Sequence, residues 1–176
     1  MNTRWLHYAI WLLPERKIKE KLARLIHSLS HTVGAIPFAP HLTLCSGTNE
    51  SEGRIQAVLQ TAISGLPALS LRVTGVNVSA DFFQTLFLEF AANDALLQLH
   101  AQLRQALTPQ KTTSFHPHLS LLYYDADLAE KERLRALVPT IPETITFDRV
   151  SLVVTTSPQG WRDIASWKRL SSQSLT

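Results

Sequence analysis

Two heptapeptides carry the residues best suited to chemistry: Phe38-Ala39-Pro40-His41-Leu42-Thr43-Leu44 and Phe115-His116-Pro117-His118-Leu119-Ser120-Leu121. In a strand, alternation places each histidine and the hydroxyl two residues later on one face and the leucines on the other. Imidazole titrates near neutrality and a hydroxyl can hold an anionic oxygen. Two copies brought together therefore offer an acid, a base and two hydrogen-bond donors, the outline of a phosphate-ester site. A single histidine on a strand usually belongs to the core. It is the repeat, with its matched Thr43 and Ser120, that points His41 and His118 towards catalysis.

The elements that must position these residues recur with them. The two histidines lie 77 residues apart, and most other segments echo at that offset. A β-rich run over Arg4–Leu13 answers one over Asp81–Phe90, which has a further echo over Trp161–Leu170. Pro14 followed by Ile18, Leu22, Leu25, Ile26 and Leu29 predicts a helix, matched by Asn93 with Leu96, Leu99, Leu103 and Leu107. Asn49 is placed as an N-cap, with Glu52 at the capping-box position and Gly65 ending the helix. Its counterpart covers Asp127–Val138, with Leu128, Leu134 and Leu137 inward and Pro139 as terminator. Strands over Leu69–Ser79 and Thr144–Thr156 follow.

The expectation is an α+β fold: duplicated β-α-β-α-β units with pseudo-twofold symmetry, two antiparallel sheets around a central cleft, and helices outside. Residues 1–176 then form a single bilobal domain, with pseudo-repeats of about 4–80 and 81–170. The 45% hydrophobic content suffices for a core, and the net charge of +3 suits an anionic ligand without forming a nucleic-acid arm. Arg72, Arg149 and Arg162 are candidate guides for an anion. Cys45 is the only cysteine, which excludes an intramolecular disulfide and a thiolate metal cage. A cytoplasmic, monomeric protein without a membrane segment is expected.

The repeated F-x-P-H-L-[TS]-L motif resembles the 2H phosphoesterase superfamily, whose two H-x-[TS]-x motifs give it its name. Pro117-His118-Leu119-Ser120-Leu121-Leu122-Tyr123 and Tyr8-Ala9-Ile10-Trp11-Leu12-Leu13-Pro14 look most like its cyclic phosphodiesterase branch. The resemblance implies a bilobal fold and metal-independent hydrolysis of a cyclic phosphodiester. It marks His41 and His118 as catalytic, with Thr43 and Ser120 binding substrate. One departure is Tyr124, where the family carries glycine after the motif tyrosine.

The substrate expected is a nucleoside 2′,3′-cyclic phosphate or ADP-ribose cyclic phosphate, opened to a phosphomonoester. In-line opening needs one group to take a proton from water and another to give one to the leaving oxygen, and histidine suits both tasks. Trp11 and Tyr123 are further candidates for substrate contact. One alternative is a 2′,3′-cyclic phosphodiesterase or 2′-5′ RNA ligase acting on RNA ends. Another is a non-catalytic module that binds RNA or a nucleotide.

No cofactor and no metal are expected. His116 shares the face of His118, but its counterpart is Ala39 and no Asp, Glu or Cys spacing completes a ligand set. His7 and Trp5 fall on the Ala9–Trp11 face of the first strand. His27, His31 and His100 read as helix-surface residues. Cys45 aligns with Thr43 in period two, yet its counterpart Leu122 favours packing.

Overall fold

Alternating and helical apolar patterns become strands and helices in the expected order. The computed structural model describes residues 6–110 and 114–176, so Arg4 and Trp5 lie outside the described residues. The first half runs β1 (Leu6–Pro14), α1 (Arg16–Val33), β2 (Leu42–Glu50), α2 (Glu52–Ile63) and β3 (Leu69–Val78). The second repeats this as β4 (Leu86–Phe90), α3 (Asp94–Leu107), β5 (His118–Leu122), α4 (Leu128–Arg135) and β6 (Thr144–Thr155), and β7 (Lys168–Ser174) closes the chain.

The halves exchange their third strands. Hairpin-like pair β1–β2 is completed by β6, and the equivalent pair β4–β5 by β3, all antiparallel. The two sheets are joined rather than separate. β6 pairs β3 over Thr144–Phe147 and β1 over Phe147–Thr155, while β2 touches β5 at Leu42 and Leu119, which are themselves counterparts at the offset of 77. Ser70 faces Thr146 and Leu69 faces Phe147, a pairing centred on the same offset. Both contacts between equivalent strands thus lie on the approximate twofold, which brings the two motif strands side by side.

β1 shows why two faces are needed. Tyr8, Ile10 and Leu12 enter the main core, while Ala9, Trp11 and Leu13 form a smaller apolar cluster with Val153 on the opposite face. Helix α1 covers the core with Leu22, Ile26 and Leu29, and Gly34 at φ 70° ends it with its N–H and that of Ala35 bonded back to His31 and Ser30 carbonyls.

Several local expectations shift. The N-cap of α2 is Ser51, whose Oγ accepts from Arg54 N, while Asn49 sits at φ 59° at the end of β2. A short amide side chain tolerates that left-handed conformation, so the residue type suited a different turn. Asn93 does cap α3, accepting from Leu96 N at 2.9 Å. In α4 only Leu134 of the three expected leucines is buried; Leu128 and Leu137 are exposed, and Lys131 turns inward to donate from Nζ to the Ser79 carbonyl at 2.7 Å. That helix spans only eight residues, too few to carry a full apolar stripe. The run from Asp81 begins with one 3-10 turn, Phe82–Gln84, and that from Trp161 with two, Gly160–Arg162 and Ile164–Ser166, and they become strands only at Leu86 and Lys168.

Candidate active site

Each motif strand departs from strict alternation at one residue. Trp11 pairs Thr43 and Ile10 pairs Cys45, which leaves Leu44 as a bulge in β2. In β5 the same thing happens at Leu121, between the pairs Phe87–Ser120 and Leu86–Leu122. The extra residue flips the pattern, so Leu44 and Cys45, like Leu121 and Leu122, all turn into the core. Cys45 therefore packs, with Sγ 3.6 Å from Thr108 Oγ1, and the next cleft position passes to Ser46 in one half and Tyr123 in the other.

The result is a cavity of about 230 Å³ whose walls include His41, Thr43 and Ser46 from β2 and His118 and Tyr123 beside it. Both histidines are held in the same way. His41 Nδ1 lies 2.6 Å from the Ala39 carbonyl and His118 Nδ1 2.7 Å from the His116 carbonyl. A carbonyl only accepts, so each Nδ1 carries the proton and donates it. The lone pair of the neutral ring is then on Nε2.

An aromatic residue of the neighbouring strand flanks each ring. Trp11 stacks on His41 with centroids 3.6 Å apart and planes 11° apart, whereas Phe87 meets His118 edge-on at 5.6 Å. One face of Trp11 is thus occupied by a histidine rather than open to a base. Phe87 escaped the sequence reading because Trp11 and Phe87 are 76 residues apart, one fewer than the histidines, and a one-residue slip exchanges faces.

Burial differs between the two rings. His41 is enclosed, and loss of water pushes its pKa down to about 4, with the Ala39 carbonyl acting the other way and His118 adding to the fall. His118 is half-buried, and burial also lowers its pKa. There the His116 carbonyl, Asp81 and Glu89 oppose the shift, while the His116 ring adds to it. Burial also drives the Tyr123 phenol upward, so it remains a neutral hydrogen-bonding group.

The two hydroxyls are not equivalent. Thr43 lines the cavity, but the buried Ser120 Oγ donates at 2.6 Å to the carbonyl of Phe83 in the 82–84 turn. That turn is further fixed by Thr85, whose Oγ1 donates to Phe82 and Tyr124 carbonyls and accepts from Tyr124 N. Tyr124 thereby stands in a loop clamped to the turn that supplies Phe83 and Gln84 to the cavity wall. Trp161 and Trp167 complete the aromatic side, with Trp167 Nε1 donating to the Trp161 carbonyl at 3.0 Å.

Sequence reasoning did not single out Ser46, Phe83, Gln84, Trp161 or Trp167. The tryptophans, in an otherwise polar segment, were the available signal. His116 does not line the cavity, its Nδ1 lies 3.6 Å from Glu89 Oε1, and His7 is exposed. Arg72, Arg149 and Arg162 do not line the cavity, and Arg162 instead bonds Asp125 and lies over Phe82.

Residues 6–172 match the family described as "Cyclic phosphodiesterase-like protein". The chain belongs to that family. With it comes membership of the cyclic phosphodiesterase branch of the 2H phosphoesterases, and the protein is an enzyme that hydrolyses cyclic phosphodiesters. A cyclic phosphodiesterase of Arabidopsis thaliana is 27% identical over 129 residues, covering 73% of this chain and 70% of that one. A 2′,3′-cyclic-nucleotide 3′-phosphodiesterase of Kluyveromyces lactis is 28% identical, with the same coverage. Among solved structures, E. coli LigT complexed with 3′-AMP superposes with a TM-score of 0.63 at 17% identity, over 98% of this chain and 99% of that one. The fold of this cyclic phosphodiesterase-like chain is accordingly that of LigT. Among the described residues no helix is long and apolar enough to cross a membrane.

Proposed function

We propose that this enzyme opens a nucleoside 2′,3′-cyclic phosphate or ADP-ribose cyclic phosphate to a phosphomonoester, with His41 and His118 as its two proton carriers and no metal. The observation that carries this reading is the matched pair of imidazoles on one cavity, each anchored through Nδ1 to a carbonyl and so left with Nε2 as the nitrogen that can take or give a proton. The whole chain acts as one bilobal unit to which each repeat contributes one histidine.

His41, whose charged form burial disfavours more, serves as the base. Its Nε2 takes a proton from water as the water oxygen attacks phosphorus. The bond from phosphorus to one ribose oxygen breaks, and that oxygen receives the Nε2 proton of His118, whose charged form Asp81 and Glu89 support. Thr43 donates to a non-bridging oxygen as charge builds there. Ser120 does the same by exchanging the Phe83 carbonyl for a phosphate oxygen. Trp11 orients His41, and Tyr123 and the tryptophans wall the substrate from water.

The test is product analysis with chelator present, using nucleoside 2′,3′-cyclic phosphates, ADP-ribose cyclic phosphate and 2′-5′-linked oligonucleotides. Turnover of the small cyclic phosphates is expected to survive the chelator and to fall by roughly 10²–10⁴ in His41→Ala and in His118→Ala. Turnover confined to the oligonucleotides would shift the reading to RNA ends, and near-normal rates in either variant would defeat the two-histidine mechanism.

A further inference from the structure

The two halves differ where the twofold should make their histidines alike. Trp11 pairs Thr43 and Phe87 pairs Ser120, so these aromatics hold equivalent places. Two residues further along each strand, the same offset sets Leu13 against Glu89. Leu13 follows Leu12, which pairs Leu42, and so stands level with His41, whereas Glu89 pairs His118 directly. Residues opposite one another in an antiparallel pair share a face and come within reach of each other. A fully buried leucine thus occupies in one half the place that a partly buried carboxylate takes in the other.

Glu89 is held in place rather than left to solvent. Asn77 of β3, which pairs Phe87, donates from Nδ2 to Glu89 Oε2 at 2.8 Å, and Thr74 Oγ1 lies 3.5 Å from the same oxygen. The residue of β6 that pairs Trp11 is Ser151, which bonds Ser172 of β7 instead. The other carboxylate oxygen, Oε1, is 3.6 Å from His116 Nδ1. His116 is the second departure from the repeat, since its counterpart is Ala39, and its carbonyl is the one that accepts from His118 Nδ1. Two residues that break the symmetry therefore meet each other beside one catalytic histidine and not beside the other.

Resting on the proposed reaction, we infer that Glu89 is a positioning residue that makes His118, and not its counterpart His41, the proton donor. It acts in two ways. Its negative charge favours the imidazolium of His118, and its contact with His116 steadies the segment whose carbonyl orients that ring. The titratable and charged groups around His118 are Glu89 of β4, Asp81 ahead of the 82–84 turn, the His116 ring, and His41 on the same cavity. Asp81 works with Glu89, whereas the His116 ring opposes it. At His41 the corresponding place is apolar, which suits the neutral form that a base requires.

Two measurements on the whole chain test this. Glu89→Gln keeps the shape and an oxygen for Asn77 but removes the charge. In kcat/KM profiles its alkaline limb should move to lower pH, costing about fivefold at pH 6.5 and less than about twofold at pH 5, with the acid limb unmoved. His116→Ala, which gives the second half the residue of the first, should move the alkaline limb the other way. Limbs that move alike in both variants, or not at all, overturn the role of Glu89. NMR titration of the His118 ring needs no turnover: its midpoint should fall in Glu89→Gln and rise in His116→Ala, while that of His41 stays in place. Those shifts without hydrolysis of any cyclic phosphate would support Glu89 and leave the proposed reaction as what fails. A His118 midpoint indifferent to Glu89→Gln defeats the inference whatever the rates.

Discussion

The ring of His41 is sandwiched between a carbonyl at its edge and the indole of Trp11 on its face, and these contacts fix what it can do. Enclosure holds it neutral until about pH 4, and His118 also titrates below its ordinary value of 6.5. A base that must be neutral and an acid that must be charged then give a bell-shaped kcat/KM profile displaced to the acid side of neutrality. Its acid limb is expected near pH 4 and its alkaline limb below pH 6.5, as read from initial rates across that range. A plateau extending through pH 8 would contradict this assignment. Trp11→Ala admits water to His41, so its acid limb should move towards pH 6.5 and kcat should drop. A change in KM alone, with the limb unmoved, would instead make Trp11 a substrate-stacking residue.

Among the elements, the bulges at Leu44 and Leu121 decide the cavity wall. Without them Cys45 and Leu122 would face the cleft, and Ser46 and Tyr123 would be turned away. The bulged end of β2 also passes close to its neighbours. A Cβ on Gly47 would lie 2.5 Å from Tyr8 Oη and 2.9 Å from Thr108 Cγ2, and Tyr8 is fully buried. Gly47→Ala is therefore expected to destabilise the fold by about 1–3 kcal/mol in chemical denaturation. An unchanged midpoint would mean that β2 can shift freely. Farther along, Ser51→Ala removes the cap of α2 and should cost roughly 1 kcal/mol without altering kcat, since α2 supplies no residue to the cavity.

For the molecule as a whole, the price of a buried neutral histidine is a stability that depends on pH. His41 has a folded-state pKa of about 4 against 6.5 in the unfolded chain, so below pH 6.5 the unfolded state binds more protons. Its contribution is fully present above pH 6.5 and is lost as pH falls towards 4, to a total of about 3 kcal/mol. His118 acts in the same direction. Urea titrations at pH 7 and pH 4.5 should show the loss, and His41→Asn should flatten it. An equally steep dependence in that variant would place its origin elsewhere.

The element order was legible because it rests on local periodicity. Alternating runs made strands, leucines three and four apart made helices, and the repeated F-x-P-H-L-[TS]-L marked both the twofold and the family. What stayed hidden depends on pairing. Leu44 becomes a bulge only against β1, and Phe87 takes its place beside His118 only through the register of β4 on β5. Asn49 and Ser51 are both good capping residues, and the choice between them fell to the backbone path that ends β2. By itself the sequence determined two histidines, two hydroxyls and the repeated units that carry them. Only the tertiary structure decided that Thr43 faces the cavity while Ser120 is engaged by Phe83, and that His41 is the more enclosed ring. Partners and burial are set by contacts between residues distant in the chain, and no local pattern encodes them.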